Sequence, residues 1–100
     1  MRIDENYEIA AIDDIADACV QRKGFGGIRI DRGVAMVGKY NDFIYAKKID
    51  GSYWLLDTKK DSDRADVRDC VSGPLTHDEI VSKLKDIGKS DNLEFQWIVK

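Results

Sequence analysis

Hydrophobic and polar positions alternate in short runs through the middle of the chain. Apolar runs at 27–31, 34–39, 43–48 and 53–59 are separated by residues that favour turns. Three such segments stand between them: Asp31-Arg32-Gly33, Lys39-Tyr40-Asn41-Asp42 and Asp50-Gly51-Ser52. Short runs bounded in this way are typical of antiparallel strands joined by tight turns. The pattern predicts a four-stranded meander, with its clearest hairpin at Asp50-Gly51.

The third and fourth runs are apolar on both faces. Every position of 43–46 is aromatic or aliphatic, and the neighbours Tyr53 and Trp54 point to opposite faces of an extended chain. Strands of this kind are covered on both sides. The pattern therefore indicates either central strands or strands with helices on one face and a partner over part of the other.

Helical spacing appears on either side of the meander. Ile12, Ile15, Ala16, Cys19 and Val20 form one apolar stripe, which predicts a helix at 12–23 that ends before Gly24. The preceding residues, 7–11, fit either a short strand or the first turn of that helix.

A second helix is predicted after the single proline. Thr76 and Glu79 have the spacing of a capping box, and the apolar stripe of Ile80, Val81, Leu84 and Ile87 follows them before Gly88. The stretch 59–72 is polar and is typical of an exposed loop. Within it, Val67, Cys70 and Val71 fit a short edge strand or a turn, and the strand is favoured.

The last run alternates apolar and polar residues and predicts a strand at 93–100. Leu93, Phe95 and Trp97 share its apolar face, and a position at a sheet edge would allow a homodimer by strand addition. Together the elements predict one α+β domain over 1–100. Its antiparallel sheet has about five strands, the four-stranded meander plus the C-terminal strand, packed with two helices.

Charge is distributed unevenly along the chain, which has a net charge of −3. Residues 1–20 are acidic and residues 21–60 are basic, so the two segments either neutralise each other or form a bipolar surface. No stretch approaches the roughly 20 apolar residues that span a bilayer, and the acidic start lacks the pattern of a signal peptide. We therefore expect a cytoplasmic protein without a membrane partner.

No catalytic or metal-binding motif is apparent. His77 is the only histidine, and Cys19 and Cys70 lie far apart, which favours free thiols over a disulfide bridge. The acidic stretch from Asp61 lacks the glycine and glutamate of a calcium loop. We expect no cofactor, no metal and no enzymatic activity. The remaining enzymatic hypothesis has Cys70, paired with His77, or an acidic pair as the working group.

Nucleic-acid binding is the main alternative to protein binding. The basic residues Lys47, Lys48, Lys59, Lys60, Arg64 and Arg68 accompany aromatic residues that could stack on bases. Against this reading, the isoelectric point is near 5.1, whereas nucleic-acid-binding proteins are usually basic.

The pattern favours a small non-enzymatic module that binds another protein, as inhibitors, immunity proteins and phage anti-defence proteins do. Such a module would cover a surface of its partner through aromatic anchors and complementary charge. Two surfaces are predicted to make the contact. One is the charged loop with Asp61, Asp63, Arg64 and Arg68. The other is the outer face of the central strands, with Tyr45, Lys47, Tyr53 and Trp54.

Overall fold

A computed structural model describes residues 1–11, 15–24, 27–62, 66–89 and 93–99. Within these ranges the chain forms strands, two α-helices and one 3₁₀ turn. In chain order the elements are β1 (Tyr7–Ala10), the 3₁₀ turn (Ile15–Asp17), β2 (Cys19–Arg22), β3 (Gly27–Ile30), β4 (Val34–Tyr40), β5 (Phe43–Lys48), β6 (Tyr53–Asp57), α1 (Val67–Cys70), β7 (Val71–Leu75), α2 (His77–Asp86) and β8 (Trp97–Ile98).

The strands form two antiparallel sheets. The smaller sheet has the order β1-β2-β3, and the larger has the order β7-β6-β5-β4-β8. The α+β class and the five-stranded antiparallel sheet are thereby confirmed. The hairpin at Asp50-Gly51 joins β5 to β6, with Lys47 opposite Tyr53.

The first strand of the expected meander belongs to the other sheet. Residue Ile28 of β3 pairs with Gln21 of β2, whereas β4 pairs with β5 and β8. Asp31-Arg32-Gly33 is therefore a connection between the sheets and not a hairpin. In the larger sheet, β7 takes the place that was expected for β3. It pairs with the side of β6 that faces away from β5, with Leu55 opposite Ser72.

The predicted helix at 12–23 is wrong over residues 15–23. The first three residues of the prediction, 12–14, lie outside the described ranges. Only one 3₁₀ turn forms, and Cys19–Arg22 is the central strand of the smaller sheet. Val20 is completely buried and pairs with Ile9 on one side and Ile30 on the other. These long-range pairings outweigh the local helical spacing, because helix propensity is a weak preference that tertiary contacts override. Residues 7–10 are a strand.

The larger sheet is covered on both faces by the chain itself. The run 43–48, which is apolar on both faces, was expected to be a central strand, and β5 is the central strand of this sheet. One face of the larger sheet packs against the smaller sheet, burying Val20, Ile30, Ile44, Ala46 and Leu56 among others. The other face packs against α2 and residues 93–95, burying Tyr45, Tyr53, Leu55, Ile80 and Leu84.

Helix α2 follows its prediction closely. Glu79 N donates to Thr76 Oγ1 at 3.2 Å and Thr76 N donates to Glu79 Oε1 at 3.0 Å, which completes the capping box. Ile80 and Leu84 are its buried residues, and Gly88 follows the helix with a φ of +99° that favours glycine. None of the described helices is long and apolar enough to cross a membrane.

The edge strand expected around Val67, Cys70 and Val71 begins one helical turn late. Residues 67–70 form α1, because Asp66 caps them and accepts a hydrogen bond from Arg68 N at 2.9 Å. β7 starts at Val71 and contains Pro74, which an edge strand tolerates because its outer side needs no donor.

Candidate functional site

A groove of about 360 Å³ opens where the two sheets meet. One wall comes from β3 and the connection after it, and the opposite wall comes from α1 and β7. Trp54 of β6 lies between them. The lining residues are Ile28, Arg29, Asp31, Trp54, Val67, Arg68, Val71 and Gly73.

Trp54 is held in a single position within this groove. Its Nε1 donates to Ser52 Oγ at 3.0 Å, and Lys48 Nζ lies 4.2 Å from the centre of its ring. On another side the ring lies so close to Gly73 that a Cβ there would be 2.5 Å from Trp54 Cδ2. These contacts restrict the orientations that the half-buried indole can adopt.

Ile28 is the exposed aliphatic residue of the groove. It is 53% exposed, whereas Ile30, two positions later, is completely buried. The pairing of β2 with β3 shifts register between Val20 and Gln21, so the simple alternation of the strand is broken at this point. A strict alternation along 27–31 would put Ile28 and Ile30 on one face, so the sequence pattern alone does not identify Ile28 as a surface residue.

The charged groups that line the groove have partners within the chain. Arg68 pairs with Asp66 at 2.9 Å, and Asp31 pairs with Lys48. Arg29 Nε donates to both carboxylate oxygens of Asp61, at 2.8 and 2.9 Å. The groove thus combines apolar side chains with compensated charges.

A buried polar network supports the β3 wall. The Asp61 side chain is fully buried and accepts a hydrogen bond from Tyr7 OH at 2.7 Å, and Arg22 Nη1 donates to the same hydroxyl at 3.0 Å. Burial, together with the adjacent Asp61 carboxylate, raises the pKa of Tyr7 well above its usual value. The network joins the segment after β6 to all three strands of the smaller sheet.

A second depression of about 400 Å³ adjoins the groove. It is lined by Asp17, Cys19 and Arg32, and it shares Ile28 and Asp31 with the first. Ile28 consequently forms a ridge between two concave surfaces.

The thiols show no sign of activation. Cys19 and Cys70 are both free and buried, and burial raises the pKa of each thiol. A protonated thiol is a poor nucleophile. His77 is exposed and packs edge-on against Tyr53, with ring centres 5.8 Å apart. Among the described residues, no three His, Cys, Asp or Glu side chains come together as metal ligands.

The structure brings together two of the predicted contact residues and buries three others. Trp54 and Arg68 both line the groove. The prediction that Asp61 lies at the surface is wrong. Its side chain is buried, where it pairs with Arg29. The predicted residues Asp63 and Arg64 lie outside the described ranges.

The other predicted surface, the outer face of the central strands, is covered. Tyr45 is 0% exposed and Tyr53 is nearly as buried, because α2 and residues 93–95 pack over them. Tyr45 donates a hydrogen bond to Glu94 O and packs edge-on against Phe95. Lys47 lies on this side, 5.6 Å from the centre of the Tyr53 ring.

Three of the basic residues of the meander point to different surroundings. Lys47 and Lys48 lie over aromatic rings on opposite faces of the larger sheet. Lys59 pairs with Asp42 at 3.2 Å. Comparison of the chain with protein-family models, with curated proteins and with solved structures finds no match.

Proposed function

We propose that this protein is a non-enzymatic module that binds another protein through the groove between its two sheets. The single observation that carries the proposal is the pairing of Ile28, half exposed, with the immobilised ring of Trp54 in one concave site. Exposed apolar side chains in a concave site mark interaction surfaces more reliably than scattered ones.

The fixed position of Trp54 supports the same proposal. Tryptophan is enriched among the residues that dominate binding energy at protein interfaces. Because Ser52, Lys48 and Gly73 already restrict the indole, little conformational entropy is lost when a partner packs on it. Arg68, whose side chain is exposed at the rim, would contribute polar contacts.

Binding by coverage of a partner's surface is the mode of action that we propose. The protonated, buried thiols and the solvent-exposed His77 favour it over nucleophilic catalysis. Inhibitors, immunity proteins and phage anti-defence proteins act in this way, and we place the protein in that class.

Nucleic-acid binding is supported less well. A nucleic-acid site needs cations that can neutralise phosphates along a continuous track. Here Arg68, Lys48 and Arg29, the cations in or beside the groove, each contact a carboxylate of the same chain. A phosphate backbone would have to displace those carboxylates.

A pair of matched variants tests the proposal. Ile28→Lys puts a charge into the groove, and Ile49→Lys puts the same charge at an equally exposed position, 58% exposed, on the turn between β5 and β6. Each protein is immobilised and incubated with nuclease-treated lysate of the cells in which the protein occurs naturally. We expect the unchanged protein and Ile49→Lys to retain the same stoichiometric partner, and Ile28→Lys to lose it.

Arg68→Glu provides a second, milder change at the rim, and we expect it to weaken capture without abolishing it. Equal capture by Ile28→Lys and the unchanged protein would show that the groove is not the contact surface. Binding of short DNA or RNA at about 150 mM salt, lost in Arg68→Glu, would instead support the nucleic-acid alternative.

A further inference from the structure

We infer that the occupant of the groove is an extended segment of the partner, which carries an uncharged apolar anchor residue and pairs with β3 as a fourth strand of the smaller sheet. This inference rests on the proposed function, since it specifies what the protein-binding groove receives. It depends on three features of the structure: the edge position of β3, the two depressions beside Ile28 and the paired charges of the groove.

Among the described residues, the smaller sheet has one edge covered by the N-terminal residues and one edge, β3, without a further paired strand. At β1, Met1 N donates to Ile9 O at 2.8 Å and Ile9 N donates to Met1 O at 2.6 Å, so the N-terminal residues cover that side. At β3, residues 27–30 pair with β2, and no other strand within the described part of the chain pairs with them.

Within the described part of the chain, β3 lacks two of the usual protections against strand addition. Edge strands are commonly guarded by proline, lysine or a covering element. The edge strand β7 of the larger sheet contains Pro74, but β3 carries neither proline nor lysine and presents the exposed Ile28. An added strand would supply hydrogen bonds to the backbone of β3 and contacts to Ile28.

The two depressions give an added strand its side-chain sites. Both include Ile28 and Asp31, so a segment that runs along β3 passes from the groove of about 360 Å³ to the depression of about 400 Å³. An extended chain advances about 3.3 Å per residue, and its side chains alternate between its two faces. Different side chains of one short segment can therefore enter the two depressions.

Charge indicates the chemistry of the anchoring side chain. Trp54, Val67 and Val71 provide the apolar surface of the groove, and Asp31 and Arg68 are already paired with Lys48 and Asp66. A charged side chain would lose its hydration without gaining a free counterion. The complementary anchor is therefore an aliphatic or aromatic side chain without charge.

The experiment uses a library of short random peptides displayed on phage. The full-length protein serves as bait, and peptides that also bind Ile28→Lys are removed. We expect the retained peptides to share an uncharged apolar residue within a β-prone segment and to bind Ile49→Lys as well as the unchanged protein. Circular dichroism of both variants confirms that they are folded.

Backbone methylation then distinguishes strand pairing from simple burial of a side chain. Each peptide N–H is methylated in turn, and affinities are compared. In an added strand, alternate N–H groups point toward β3, so we expect methylation at every second position to weaken binding about tenfold and the intervening positions to be tolerated.

Each outcome has a defined meaning. An alternating effect of methylation supports strand addition. Uniform tolerance of methylation, with binding still lost in Ile28→Lys, overturns strand addition and leaves the proposed protein-binding function standing. Failure to retain any peptide that discriminates against Ile28→Lys overturns the segment as occupant, and the lysate comparison then decides separately whether the groove binds a folded protein.

Discussion

Two different layers cover the larger sheet, and they are held in different ways. The sheet layer, β1–β3, is anchored by a buried carboxylate that contacts Arg29 and Tyr7. The helix layer, α2 with residues 93–95, buries aliphatic and aromatic side chains around Tyr45, Ile80 and Leu84. Both layers bury apolar side chains against the larger sheet, and the sheet layer adds to this burial the polar contacts of the Asp61 carboxylate.

This difference shows why the groove lies where it does. Polar contacts such as Asp61–Arg29 require fixed geometry and join segments that are distant in the chain. The Asp61–Arg29 contact ties β3 to the segment that follows β6, and the groove lies between β3 and the elements after that segment. On the opposite face of the larger sheet, apolar side chains fill the space beneath α2, so this face supports the fold.

The largest expected effect comes from removing the anchor of the sheet layer. Asp61→Ala removes the carboxylate that accepts hydrogen bonds from the buried Arg29 and from Tyr7, and we expect the free energy of unfolding to fall by about 3–5 kcal/mol. Urea denaturation followed by circular dichroism measures the loss. Asp86→Ala, which removes an exposed carboxylate at the end of α2, is the control and should cause little change. Equal effects of the two substitutions would mean that Asp61 does not anchor the layer.

A cavity in the helix layer tests the other side. Leu84→Ala removes a buried side chain from α2, and we expect a loss of about 2–5 kcal/mol in the same denaturation assay. If the layers are independent, the double variant with Asp61→Ala should lose the sum of the two effects to within about 0.5 kcal/mol. A coupling clearly larger than this would contradict the division into two layers.

A smaller effect is expected from the contact between two strands beneath the helix layer. A Cβ at Gly38 would lie less than 3.0 Å from the ring of Tyr45, its neighbour on β5. We expect Gly38→Ala to destabilise the fold by about 1–3 kcal/mol, because the ring must move. In a Tyr45→Leu background the same substitution should cost much less. An undiminished cost there would place the strain in the backbone.

The smallest effect concerns alkaline pH and the sheet layer. The pKa of Tyr7 is raised in the folded state, so its contribution to stability is complete below pH 10 and declines as the pH rises above that value. Tyr7→Phe should lower stability at neutral pH by about 1 kcal/mol through the lost hydrogen bond to Asp61. It should also flatten the alkaline decline, measured as the urea midpoint between pH 8 and pH 11. An unchanged slope would show that Tyr7 does not titrate with unfolding.

Local signals in the sequence were sufficient for some elements and misleading for others. The capping box of Thr76 and Glu79 acts within one helical turn, and α2 was predicted with nearly its observed ends. The stripe from Ile12 to Val20 had equally regular spacing, yet Cys19–Arg22 is a strand. Its partners come from 7–10 and 27–30, and no local pattern reveals such pairing.

The candidate site was only partly predictable for the same reason. Trp54 and Arg68 were expected at a contact surface and do line the groove. The exposure of Ile28 depends on the register shift of β3, and the burial of Asp61 depends on Arg29 and Tyr7, which are far away in the chain. A charged residue in a polar segment is normally expected at the surface, and only the fold shows that Asp61 is inside.

Both tryptophans lie on the same side of the larger sheet, so tryptophan fluorescence reports on that side of the molecule. Trp54 and Trp97 both pack against the core between the two sheets, whereas the aromatic residues of the helix layer are tyrosines and phenylalanines. Indole emission will therefore follow events at the groove and in the sheet layer. Local unfolding of α2 would leave that emission almost unchanged and would be visible in far-ultraviolet circular dichroism.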